Sequence, residues 1–196
     1  MLTFSAAVFF LIITPGPGVL SVAGVGSAFG SQPGARYIAG LFAGTNLVAI
    51  AVVSGMAAII LANPDIRLLL LIASGAYLTF LAGRIAFSGS KIAFIEAVKP
   101  PGFWGGVALQ AINPKAYAVN TALFSGFAFL PQSLITETLL KFLILNAIWI
   151  PIHFLWLYAG VTLHRLQLPS HIQFRINIIM ALSMLAVVGL AIIAPK

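Results

Sequence analysis

FFLIITPGPGVL, Phe9 to Leu20, sets two prolines and two glycines inside an otherwise apolar run. A proline in a helix interior removes a backbone donor, and its ring clashes with the carbonyl four residues back. Pro15 and Pro17 therefore strip the helical partners from the carbonyls of Leu11 and Ile13. What surrounds those carbonyls decides how the stretch is read.

The surroundings are lipid. Of 196 residues, 61% are hydrophobic and 7% charged, with a mean hydropathy of +1.12. A water-soluble domain needs far more charge to cover its surface. A span of the ~30 Å hydrocarbon core takes about 20 apolar residues. Apolar runs fall at about Leu2–Phe29, Tyr37–Ala62, Ile66–Phe87, Phe103–Leu130, Leu134–Leu163 and Ile172–Ala194. The sequence thus predicts an all-α polytopic membrane protein of six transmembrane helices. Residues 1–196 form a single transmembrane domain, since the longest connection, about Ser88–Gly102, is too short for a soluble one.

The first run reads as a retained helix and not a cleaved signal peptide: no Lys or Arg precedes it and prolines interrupt it. The absence of cysteine excludes a disulfide framework and a thiolate metal site. The net charge of +7 comes without a basic patch interleaved with aromatics, so nucleic acid is not an expected partner. It reads as a topology signal instead. Connections one, three and five carry Arg36, then Arg84, Lys91 and Lys99, then Arg165 and Arg175; the other side has Arg67, Lys141 and Lys196. The positive-inside rule places the richer side in the cytoplasm and both termini in the periplasm.

In this setting the opening stretch acquires a meaning. Unpaired backbone in lipid costs several kcal/mol, so a break survives only where protein or a watery cavity satisfies it. Thr14 lies ~18 Å along a helix from Leu2, near the bilayer midplane. The fourth run contains a second break, ALQAINPKAYAVN, with Asn113-Pro114-Lys115 about ten residues beyond Phe103 and Pro114 freeing the carbonyl of Gln110. The second break comes three helices after the first, an odd number, so the two halves, about 1–90 and about 100–196, would run inverted through the membrane. Paired interruptions in matching positions of two halves point to a transporter's binding site.

Lys115 is the costliest residue of the second break. A charge at mid-bilayer costs about 2.5–3.5 kcal/mol on insertion scales and marks a functional site by default. The acids Asp65, Glu96 and Glu137 all lie in or beside connections, away from it. Gln110, Asn113, Tyr117 and Asn120 follow helical spacing and share one face, either lining a site or joining helices by amide contacts. Gly40-xxx-Gly44 and Gly26-xxx-Gly30 read as packing faces. His153, beside Pro151, is the other titratable group near mid-depth, either a satisfied core histidine or a proton carrier.

The ordered set TPGPG (14–18), GLFAG (40–44), SGAYLTFLAGR (74–84), FWGG (103–106) and NPKA (113–116) resembles the LysE/RhtB family of bacterial amino-acid exporters over nearly the whole chain. The resemblance implies a secondary transporter that exports amino acids or close derivatives across the bacterial inner membrane, coupled to protons. It implies no cofactor. The expected partners are an amino-acid-like solute, the lipid bilayer and at most a second copy of the chain in a homodimer. Two positions depart from the family's pattern. Members often carry Asp or Asn where this chain has Gly18, and many place a carboxylate where it has Thr45 and Asn46. That argues against a basic substrate such as lysine.

The expected mechanism is alternating access around the paired breaks. The half-helix ends after Pro15-Gly16-Pro17 and Pro114, with Lys115, suit a substrate carboxylate. Thr14, Gln110, Asn113, Tyr117 and Asn120 complete the expected substrate site, the freed carbonyls of Leu11, Ile13 and Gln110 receive an ammonium, and Lys115 and His153 are the candidates for proton handling. An enzyme would need a nucleophile–base pair or metal cluster at depth, and the sequence offers no G-x-S-x-G, H-E-x-x-H or carboxylate pair. The alternatives are a structural or assembly subunit and a small-solute channel.

The orientation is directly testable, because every introduced cysteine is a clean probe. In intact cells, cysteines at Ser90 and Ser170 should be shielded from an impermeant thiol reagent while one at Ser133 labels. The reverse pattern would refute the orientation.

Overall fold

The computed structural model describes residues 1–14, 16–86 and 99–166, and beyond them 168–169, 171–172, 174–179, 182 and 186. The regular elements among them are all helices: α1 (Leu2–Ile13), α2 (Pro17–Phe29), α3 (Ser31–Val53), α4 (Met56–Ala62), α5 (Pro64–Ala86), α6 (Phe103–Ile112), α7 (Pro114–Gly126) and α8 (Leu134–Arg165). Three are long and apolar enough to cross a membrane, within Ser31–Val53, Pro64–Ile85 and Leu134–Leu163, and a fourth span results if α1 and α2, which meet at 50°, count as one. The helix α6, at 10 residues, rises only ~15 Å and crosses only if continued by α7. Most of the sixth expected helix lies outside the described residues.

Three boundaries differ from the sequence reading. The second expected helix starts earlier, at Ser31, because Pro33 and Gly34 fall in the first turn, where backbone N–H groups have no helical partner to lose. Arg36 therefore sits inside α3 and not in a connection, and the joint between α2 and α3 is the single residue Gly30 at φ 82°. Gly30 is a corner, not half of a packing face. The same expected helix ends at Val53, where Gly55 at φ 78° turns the chain into the separate α4.

The helix α3 lies at the centre, against α2, α4, α6, α7 and α8. Glycines set how near its neighbours come. A Cβ on Gly40 would lie 1.8 Å from the carbonyl oxygen of Phe103, and one on Gly106 would lie 2.4 Å from that of Tyr37. Across α2 and α8, a Cβ on Gly160 would lie 2.2 Å from the oxygen of Ala23. Such backbone-to-backbone approach is the small-residue packing of membrane helices. At this end of the bundle Val22, Val25, Tyr37, Leu41, Leu81 and Leu157 form one buried cluster. At the other end the contacts are between side chains: Phe4, Val8, Leu123 and Leu145 in one cluster, and Val48, Ala57, Ala116 and Tyr117 in another.

Two polar joints were not foreseen. Asn46 on α3 and Asn146 on α8 exchange hydrogen bonds, each side-chain amide donating to the other's carbonyl at 3.1 and 2.9 Å. Glu137 and Lys141 form a buried ion pair, 2.8 Å apart, within the first turns of α8. Glu137 accepts from the backbone N–H groups of Phe129 and Leu130, while Lys141 donates to the Phe124 carbonyl and lies over the rings of Phe4 and Phe129. Every charge in the pair is thus hydrogen-bonded, the condition under which burial is tolerated. Lys141 is a buried helix residue and not a basic residue of a connection.

Gly40→Ala and Gly106→Ala should each overpack the α3–α6 seam and cost about 1–3 kcal/mol. Gly83 has no atom near its would-be Cβ, so Gly83→Ala should gain up to ~1 kcal/mol from helix propensity. Thermal unfolding of the purified variants in detergent should order them Gly83→Ala, wild type, then the seam variants.

Candidate functional site

The two breaks meet. The Lys115 ammonium, at the start of α7, donates to the carbonyl of Thr14 at 3.1 Å, joining positions 101 apart in the chain. Thr14 is the residue at which α1 ends, so its carbonyl is one of the groups the break leaves without a helical partner. Gly16 permits this approach. A Cβ there would stand 2.8 Å from Lys115 Nζ and 3.0 Å from its Cδ.

The second break is closed by its own side chains. Asn113 caps α7: its Oδ1 accepts from the Lys115 backbone N–H at 3.1 Å, and its Nδ2 donates to Gln110 Oε1 at 3.2 Å. The Gln110 carbonyl, deprived by Pro114, accepts instead from Asn113 N at 3.3 Å. Capture of the Lys115 N–H by Asn113 in turn deprives the Ala111 carbonyl, and the Tyr117 hydroxyl takes it at 2.9 Å. Two expectations are corrected by these bonds. The Gln110 carbonyl is already engaged, and Tyr117 turns away from its stripe to repair the backbone, packing with Val48 and Ala57.

A cavity of about 60 Å³ lies between the breaks, room for a solute of a few heavy atoms. Of the expected site residues, Thr14, Gly16, Pro17, Gln110, Asn113, Lys115, Asn120 and His153 line it, whereas Tyr117 and Pro114 do not; Pro15 lies outside the described residues. The sequence reading missed Thr45 and Trp149 among the lining side chains, and Gly18 as a lining residue in its own right. Thr45 had a usable signal, since it follows the glycine pair that seats α3 against α6.

The charges are one-sided. Lys115 is the cationic residue of the lining, and among the described residues no carboxylate joins it. The helix α2 begins at Gly16 with no side-chain cap, so its N-terminal turn presents positive partial charge to the same space, while the N-terminus of α7 is occupied by Asn113. His153, 3% exposed, stacks on Trp149 with ring centroids 3.5 Å apart. Its Nδ1 lies 2.9 Å from the Trp149 carbonyl, which only accepts, so Nδ1 carries a proton. Nε2 remains, 3.6 Å from where a Gly18 Cβ would stand. Asn120 is buried with its Oδ1 unpartnered among the described residues. Among those residues no group of His, Asp or Glu is placed to hold a metal.

A model of the LysE-type translocator family matches residues 9–194, and the chain belongs to that family. The cysteine/O-acetylserine efflux protein of Escherichia coli (strain K12) is 31% identical over 121 residues, 62% of this chain and 61% of that protein. The proteins of the same name from Shigella sonnei (strain Ss046) and Escherichia coli O6:K15:H31 (strain 536 / UPEC) match at 31% and 30% over the same length. The similarity thus spans about 61% of the relatives' length. No solved structure matches the chain. The family is one of translocators, membrane transport proteins and not enzymes.

Gly16→Ala should leave the fold intact, because the atoms it meets are the end of a flexible side chain, yet move the Lys115 ammonium off Thr14. Gly18→Ala meets only ordinary contacts and should be silent. Solute binding to the purified protein should fall at least tenfold in the first variant and less than twofold in the second, with equal thermal stability.

Proposed function

We propose that this LysE-type translocator exports small neutral amino acids or their close derivatives across the bacterial inner membrane, the solute sitting in the cavity between the two breaks. One observation carries the reading: Lys115, at the break, faces a solute-sized cavity with no carboxylate partner among the described residues. A substrate carboxylate would supply the missing charge, held by Lys115 and the uncapped start of α2. The carbonyl of Leu11, a lining residue deprived by Pro15, is the acceptor for its ammonium. The relatives' name, an efflux protein for cysteine and O-acetylserine, fits a neutral solute. The absence of a lining carboxylate disfavours lysine as cargo.

The mechanism proposed is alternating access by a single domain of six helices in two inverted halves, with both termini periplasmic. Unequal closure of the two ends supports it. On the side toward α2 and α6, the lining residues Gly16, Pro17, Val19 and Gln110 are buried and the helices touch through backbone. Toward α1, Thr14 is exposed and Leu11 and Ile12 are half-buried. In the proposed orientation that is an outward-facing state. Lys115 and His153 are the candidate proton carriers, His153 through the free Nε2.

Transport by the purified protein in liposomes tests the assignment. Lys115→Met keeps most of the side-chain bulk and removes the charge, so it should insert normally and lose export at matched protein amounts. Lys115→Arg should fail too, since a planar guanidinium does not fit the space of an ammonium against Gly16. Wild-type flux in Lys115→Met, or lysine as the best-exported compound, would overturn the reading.

A further inference from the structure

We infer that Asn120 reads the substrate's side chain and makes the site select amino acids with a hydroxyl or thiol there; the inference rests on the export reading above. Asn120 lies on α7, is 2% exposed and lines the cavity. Its Nδ2 donates to the Ala116 carbonyl one turn back, at 2.8 Å. That bond commits the donor end of the amide to the helix and leaves Oδ1 as a pure acceptor. Oδ1 is the one buried side-chain polar atom without a hydrogen-bond partner among the described residues. A buried acceptor left empty costs about 1–3 kcal/mol, and nearly all such groups are satisfied. An orphan inside a transport cavity is therefore matched to a donor that arrives with the solute.

The position of the orphan identifies which part of the solute supplies the donor. The groups suited to an amino acid's carboxylate and ammonium lie at the breaks: Lys115, the start of α2 and the carbonyls of α1. Asn120 is five residues further along α7, ~7.5 Å in rise. There the cavity wall is Leu11, Val119 and Leu145, all apolar. With its charged end held at the breaks, a zwitterion projects its side chain toward this region. A short apolar stem ending in an O–H or S–H satisfies both the wall and Oδ1. Alanine and valine satisfy the wall only. A cationic side chain would meet no countercharge, since among the described residues no carboxylate lines the cavity.

The test is counterflow of L-serine and L-alanine by purified protein in liposomes. Wild type should move serine about tenfold faster than alanine at equal low concentration, the worth of one hydrogen bond. Asn120→Leu, similar in size, should bring the serine-to-alanine ratio to within twofold. Asn120→Asp keeps the acceptor and adds a charge, so it should keep serine and newly admit L-2,3-diaminopropionate. A wild-type ratio near one overturns the inference without recourse to any variant, and so does an unchanged ratio in Asn120→Leu. If wild type moves no amino acid at all, the export reading itself fails, an outcome distinct from flux without discrimination.

Discussion

A backbone carbonyl that has lost its helical partner cannot stay bare in lipid, and that constraint organises the centre of this molecule. The two breaks leave a series of carbonyls without helical partners, and the chain answers several of them with whatever donor the local sequence offers. Lys115 answers Thr14, Asn113 answers Gln110, and Tyr117 answers Ala111. The repairs interlock, since the capping bond from Asn113 to the Lys115 N–H creates the deficit that Tyr117 fills. A polar centre is thereby built inside an apolar bundle from residues whose first task is to complete the backbone.

Much of this was legible in the sequence. The breaks announce themselves because proline chemistry is local, and their depth follows from counting residues from the helix start. Lys115 was legible because a charge in lipid is too costly to be incidental. What stayed hidden depended on partners distant in the chain or on backbone angles. Tyr117 has the spacing of the polar face, and only the sequence of broken bonds around Asn113 explains its turning away. The joint of Asn46 with Asn146 is visible only when α3 and α8 are laid together. Gly30 reads as a packing glycine until its positive φ shows it to be a corner. Glu137 and Lys141 stand four apart, the spacing of a helical ion pair, but their nearness to a connection concealed their burial.

The two ends of the bundle are held by different means. Glycines on α2, α3, α6 and α8 bring backbones together at one end, where a single added methyl would strike a carbonyl oxygen. Side chains of varied size fill the other, and they can repack by changing rotamer. Backbone seams open only as units. The cavity lies between a region joined through backbone and one joined through side chains.

Gly16 and Lys115 compete for the same few cubic ångströms, since the place of a Cβ on one is filled by the ammonium of the other. The two positions are therefore not independent in evolution. A lineage that gains a side chain at 16 must shorten, move or lose the one at 115, and a lineage that loses the lysine is released from needing glycine. Relatives should show the pair changing together across the hundred-odd positions between them, a trace in the genetic record of a contact between two broken helices.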